Sequence, residues 1–183
     1  MNNTTDKNII ITGISNKYQI KKLKKEQPVI KTRKIVDKLE LPHELYSLEN
    51  QINIIYELFN KTDISKTIQY TSIIKQIEIK LCNYKHQDLL KKIYNEVDFI
   101  IIDDVINKLY ECKLNCYYCK EKIFLLYDIV REMKQWTLDR NNNDIGHNTN
   151  NVVISCLDCN LKRRRINMNS FLFTKQLNII KTC

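Results

Sequence analysis

The sequence predicts an α+β fold, mostly α, in which a helical N-terminal region is followed by a small strand–loop–strand–helix (ββα) unit. Three observations carry this. Apolar residues recur at helical spacing between positions 45 and 110. Two Cys-x-x-Cys pairs, Cys116/Cys119 and Cys156/Cys159, bracket the segment that follows. Inside that bracket, two short runs rich in β-branched or aromatic residues flank a polar, Asn-rich loop.

Residues 1–40 are weakly patterned and read as a mobile basic arm, with Lys21, Lys22, Lys24 and Lys25 followed by Lys31, Arg33 and Lys34. A solvated tail is an equal alternative. Residues 41–111 form the helical region. Leu45, Leu48, Ile52, Ile55 and Phe59 alternate spacings of three and four, which predicts one face of a helix of about four turns. Asp63 or Ser65 is placed to cap a second helix running towards Cys82, and its length favours helix over strand despite six isoleucines. Residues 86–94 and 99–110 are two further helical candidates, the latter with Ile102, Ile106 and Leu109 on one side. These stripes read as core.

Residues 112–183 hold the ββα unit. Ile123, Phe124, Tyr127, Val130 and Met133 predict a helix over 121–134, and the following Gln-Trp-Thr-Leu is strand-like, with Trp136 in the core beneath it. The loop 139–150 is broken by Gly146, and Asn151 to Ser155 give the second strand. A basic helix is expected to open at Asn160 and run through Arg165.

Composition narrows the class. The 183 residues carry a net charge of +9, and positions 160–183 hold Lys162, Arg163, Arg164, Arg165, Lys175 and Lys181 with no acidic side chain, which points to a polyanion, nucleic acid before lipid. Five of six arginines fall between 131 and 165 in a chain with 24 lysines and no alanine. That bias suggests an AT-rich genome, such as a viral or mobile-element one, and makes a retained guanidinium fork informative. Neither a membrane-spanning run nor a signal pattern is evident, so the reading is an intracellular protein in a reducing compartment, with no membrane partner.

In that setting two cysteine pairs favour a metal over disulfides. Each knuckle delivers two thiolates, and four close a tetrahedral structural zinc site that leaves no position for a catalytic water. Cys112 is the one substitute ligand in reach, while Cys82 and Cys183 read as incidental thiols. His43 and His86 receive no role.

The string Leu138-Asp139-Arg140, Gly146-His147, Asn151-Val-Val-Ile, then Cys156-x-x-Cys159-Asn160 with Lys162-Arg163 resembles the ββα-metal unit of HNH endonucleases, particularly zinc-stapled ones, over about residues 112–168. The resemblance implies that Asp139 and Asn160 hold a catalytic Mg²⁺ or Mn²⁺, that Asn151 braces the loop, and that Lys162, Arg163, Arg164 and Arg165 hold the DNA backbone. The implied reaction is hydrolysis of a phosphodiester in duplex or branched DNA. One departure stands out: Arg140 occupies the place of the usual general-base histidine, and arginine cannot accept a proton at neutral pH. His147, in the same loop, is the nearest alternative base, with Arg140 then a phosphate contact. The rival reading is a zinc-stabilised DNA-binding module without cleavage, acting in transcription; RNA binding is a third. A homodimer is left open.

Overall fold

The computed structural model describes residues 30–34, 41–62 and 67–177. The chain divides into residues 1–31 and residues 32–183, and every described helix and strand belongs to the second unit. Most of the basic arm, and both Asp63 and Ser65, lie outside the described residues. Of the arm, Thr32 bridges Ile129 and Arg33 lies 4.2 Å from the centre of the Tyr127 ring.

Among the described residues the architecture is mixed α and β, about half helical, with one two-stranded antiparallel sheet. Helix α1 (Leu48–Asn60) starts at Ser47, whose hydroxyl accepts from the Asn50 N–H, and stops where Lys61 turns left-handed at φ 51°. Its buried face is Gln51, Ile54, Ile55 and Leu58; of the predicted stripe Ile55 is buried and Leu45 and Leu48 are half-buried, but Ile52 and Phe59 are exposed. The face is rotated because a polar residue takes its centre. Gln51, 0% exposed, donates to the Tyr46 and Leu126 carbonyls and accepts from the Leu125 (2.7 Å) and Leu126 (3.0 Å) N–H groups.

Those bonds explain a second departure. No helix forms over 121–134; the segment is irregular, its backbone tied by Ile123 N–H to Leu114 O and Phe124 N–H to Lys134 O. Helical spacing is present in the sequence, but Ile123, Leu125 and Leu126 bury their side chains from an irregular path, and tertiary bonds outweigh local propensity. Gln51→Leu keeps the volume but strands two buried N–H groups. It is expected to cost about 2–4 kcal/mol, read as a lower thermal midpoint.

Helix α2 (Ile68–Leu90) is one uninterrupted element, where the sequence suggested a break before His86. Nothing between Cys82 and His86 is a breaker, so the helix runs on for 23 residues. Its buried stripe passes from Tyr70, Ile73, Ile77 and Leu81 to Asp88 at the far end. Midway, Lys80 donates to the Trp136 carbonyl at 2.5 Å and lies over both the Trp136 and Tyr127 rings; burial, aided by Arg33, pushes its pKa down to about 7.

Helix α3 (Ile102–Glu111) buries Val105, Ile106 and Leu109. Strands β1 (Trp136–Arg140) and β2 (Val152–Cys156) pair with Trp136 opposite Cys156 and Arg140 opposite Val152. Trp136 is core, as its neighbours predict. Helix α4 (Leu157–Arg163) follows directly, ending at Arg164 with φ 52°, so the basic helix starts earlier and stops sooner than expected. Asn167 then caps helix α5 (Met168–Gln176). Among the described residues no helix is long and apolar enough to cross a membrane.

Candidate functional site

The four cysteines of the two knuckles come together. Their sulfurs lie within 4.8 Å of one another, three of the residues buried and Cys119 half-buried. Left-handed backbone at Lys113, Leu114 and Lys120 shapes the first knuckle. The second straddles the β2–α4 junction, where Cys156 is both the last strand residue and the helix N-cap. Backbone N–H groups of Cys156 and Cys159 donate to the sulfurs of Cys116 and Cys156, each at 3.3 Å, the pattern that steadies metal thiolates.

Thiols this close conflict. Cys116 accepts from Cys156 and Cys159, which pushes its pKa down, while the same contacts push Cys156 up to about 12 and Cys159 up further. A divalent ion such as zinc resolves this by taking all four as thiolates, and the donor set suits it. Cys112 stands apart, its thiol donating to the Leu109 carbonyl, and Cys82 is exposed.

Beside this cluster, Asp139 of β1 is 4% exposed. Its Oδ2 accepts from the Tyr118 hydroxyl at 2.6 Å and its Oδ1 from Arg163 at 2.8 Å. Burial raises the carboxyl's pKa, outweighing the Tyr118 and Arg163 bonds that lower it. Arg163, expected on a DNA backbone, is 1% exposed and also donates to the Asn141 carbonyl, so it belongs to the interior. It sits one helical turn after buried Cys159, on the same face.

Asn160 donates its amide protons to Thr137 Oγ1 (3.1 Å) and the Leu138 carbonyl (3.2 Å), which leaves Oδ1 as its uncommitted atom. Asn151 ties the Asn-rich loop: its Oδ1 accepts from Asn142 N–H and its Nδ2 donates to the carbonyls of Asn142, Ile145 and Gly146. Arg140 turns inward, donating to the Ile145 carbonyl at 3.3 Å and lying 3.9 Å from Asp88. Lys162 pairs with Asp158 on the surface, while Arg164 and Arg165 are exposed.

His147 is the least expected placement. It is 4% exposed, with its N–H on Asp88 Oδ2 (2.6 Å), its Nδ1 at 2.8 Å from Asp88 Oδ1, and its ring 4.5 Å from that of Tyr84. Burial lowers its pKa, opposed by Asp88. Gly146 is required here, because a Cβ would stand 2.6 Å from the Ile93 carbonyl oxygen and 2.9 Å from Asp88 Oδ2.

Asp139, His147 and Asn160 line one cleft of about 770 Å³, with Lys91, Arg164 and Arg165 also on its wall. Tyr84 comes from α2 and Lys91 from its C-terminal end, a region that sequence reasoning leaves outside the site. A signal is present there: a carboxylate at position 88 falls where the α2 stripe should place another apolar residue. A cleft with a carboxylate, an amide oxygen, an imidazole and several cations is chemically suited to phosphate esters. Comparison of the chain with protein-family models, with curated proteins and with solved structures returned no match.

Proposed function

We propose that this protein is a metal-dependent HNH-type DNA endonuclease stapled by zinc at Cys116, Cys119, Cys156 and Cys159. The observation that carries the reading is the convergence of Asp139, His147 and Asn160 on one cleft whose wall includes Lys91, Arg164 and Arg165. Oxygen donors from Asp139 and Asn160 suit a hard divalent cation, and Mg²⁺ or Mn²⁺ held there would polarise the scissile phosphate and stabilise the leaving 3′ oxygen. Asn151 keeps the loop closed, and His147 takes the proton from the attacking water. Arg164 and Arg165 bind backbone phosphates, a role that passes from Arg163 to its neighbours. Lys162 is held by Asp158 at the surface and adds charge.

A second reading has its own support. Arg163 occupies Oδ1 of Asp139, which opposes binding of a cation there, and Arg140 stands where the usual base would be. A DNA-binding module that no longer cleaves, working on duplex or branched DNA, fits those two facts.

Supercoiled plasmid separates the two. The nuclease reading expects zinc-loaded protein to nick it with Mg²⁺ and not without. Asn160→Ala, which removes a ligand worth about 3 kcal/mol, is expected to slow nicking about 100-fold with binding retained. Arg164→Ala with Arg165→Ala weakens binding and flattens its salt dependence by about one unit for each phosphate no longer neutralised. Binding without nicking in either metal favours the module.

A further inference from the structure

We infer that Asp88, supplied by helix α2, is the positioning residue that fixes the tautomer of His147 and so makes its Nε2 the proton acceptor in the cleft; this rests on the nuclease reading above. Asp88 is 0% exposed and gives both carboxylate oxygens to one residue, Oδ2 to the His147 N–H at 2.6 Å and Oδ1 to Nδ1 at 2.8 Å. A carboxylate is an acceptor only, so the bond at Nδ1 requires the proton to sit there. The lone pair is then on Nε2. No hydrogen bond from Nε2 is seen among the described residues, and His147 lines the cleft.

The surroundings hold this arrangement rigidly. Tyr84, one turn before Asp88, lies against the imidazole ring at 4.5 Å and accepts the Leu138 N–H at 3.1 Å, so α2 is also locked to β1. Gly146 leaves room for the carboxylate to reach the backbone. Arg140 faces Asp88 Oδ1 at 3.9 Å and supplies the opposite charge that a buried carboxylate needs. The residue that displaces the usual base thus supports its replacement. The helical region thus contributes to the site as well as to the core.

A purely structural clamp would hold the loop whichever tautomer is present. Asp88→Asn tests this, because the amide keeps an acceptor for the His147 N–H but can turn its NH₂ towards Nδ1 and drive the proton to Nε2. The readout is imidazole ¹⁵N chemical shifts of the zinc-loaded protein, with exposed His43 and His86 as internal references. Wild type is expected to show Nδ1–H at His147 and Asp88→Asn to show Nε2–H. In the same pair, kcat for plasmid nicking should fall about 100-fold or more with KM little changed, as when a carboxylate that orients a base is replaced by its amide. Nε2–H in the wild type, or a variant with full kcat, overturns the assignment. If the variant does not fold, the wild-type tautomer alone decides it. If the wild type binds DNA without nicking, the nuclease reading fails on that ground while the spectrum still settles whether Asp88 sets the tautomer.

Discussion

Stripping the metal from the Cys116–Cys119–Cys156–Cys159 cluster is expected to unfold the ββα unit, as is Cys116→Ser. Structural zinc contributes an apparent 10 to 16 kcal/mol, roughly, in small domains, as much as a typical domain's entire stability of about 5–15 kcal/mol. The cluster is the link between the first knuckle and the β2–α4 junction. The knuckle in turn carries Tyr117, whose N–H bonds the Ile154 carbonyl, and Tyr118, which packs edge-on against Phe171 and donates to Asp139. Losing the metal therefore frees the residue that holds the candidate catalytic carboxylate. Elemental analysis should find one zinc per chain, and circular dichroism after chelation should show loss of the cooperative transition. A metal-free protein that melts unchanged would remove the staple.

Asp139→Ala is expected to destabilise the protein by about 3–5 kcal/mol, because it leaves the Arg163 guanidinium buried and unpaired. Arg163 already has one buried nitrogen, Nε, without a partner, so it has little capacity to adapt. Replacing both partners by apolar residues, Asp139→Leu with Arg163→Met, should recover much of the loss. Denaturant unfolding of the two single variants and the double variant measures this. If the single and double variants are equally stable, the ion pair is not the buried element described. The recovered stability also matters functionally, since it would make the double variant a folded protein without the carboxylate.

Much of the site is legible in the sequence because its signals are local. Two cysteine pairs of equal spacing bring four ligands together whatever lies between, and the β-branched run before Cys156 marks its own strand. Asn160 and Asp139 come from the same string. What stays hidden depends on contacts distant in sequence. Helical spacing over 121–134 does not report that Gln51, some 75 residues away, binds that backbone in an irregular form. Nor does the arginine run at 163–165 act as one group, since the helix ends inside it and the chain turns at Arg164 with φ 52°. Arg163 follows Cys159 by four residues and faces the core, whereas Arg164 and Arg165 follow the helix end and face solvent. Asp88 has no local motif to announce it, though its place in an apolar stripe marks it as a buried charge needing a partner.

The most direct measurement is cleavage of an end-labelled DNA duplex by zinc-loaded protein, comparing wild type with the folded Asp139→Leu/Arg163→Met double variant, with Mg²⁺ or Mn²⁺ added or omitted. Wild type should yield fragments with 3′-hydroxyl and 5′-phosphate ends only when the metal is present, and the double variant none. Intact duplex at every metal condition, or equal cleavage by the double variant, would contradict a metal-dependent nuclease centred on Asp139.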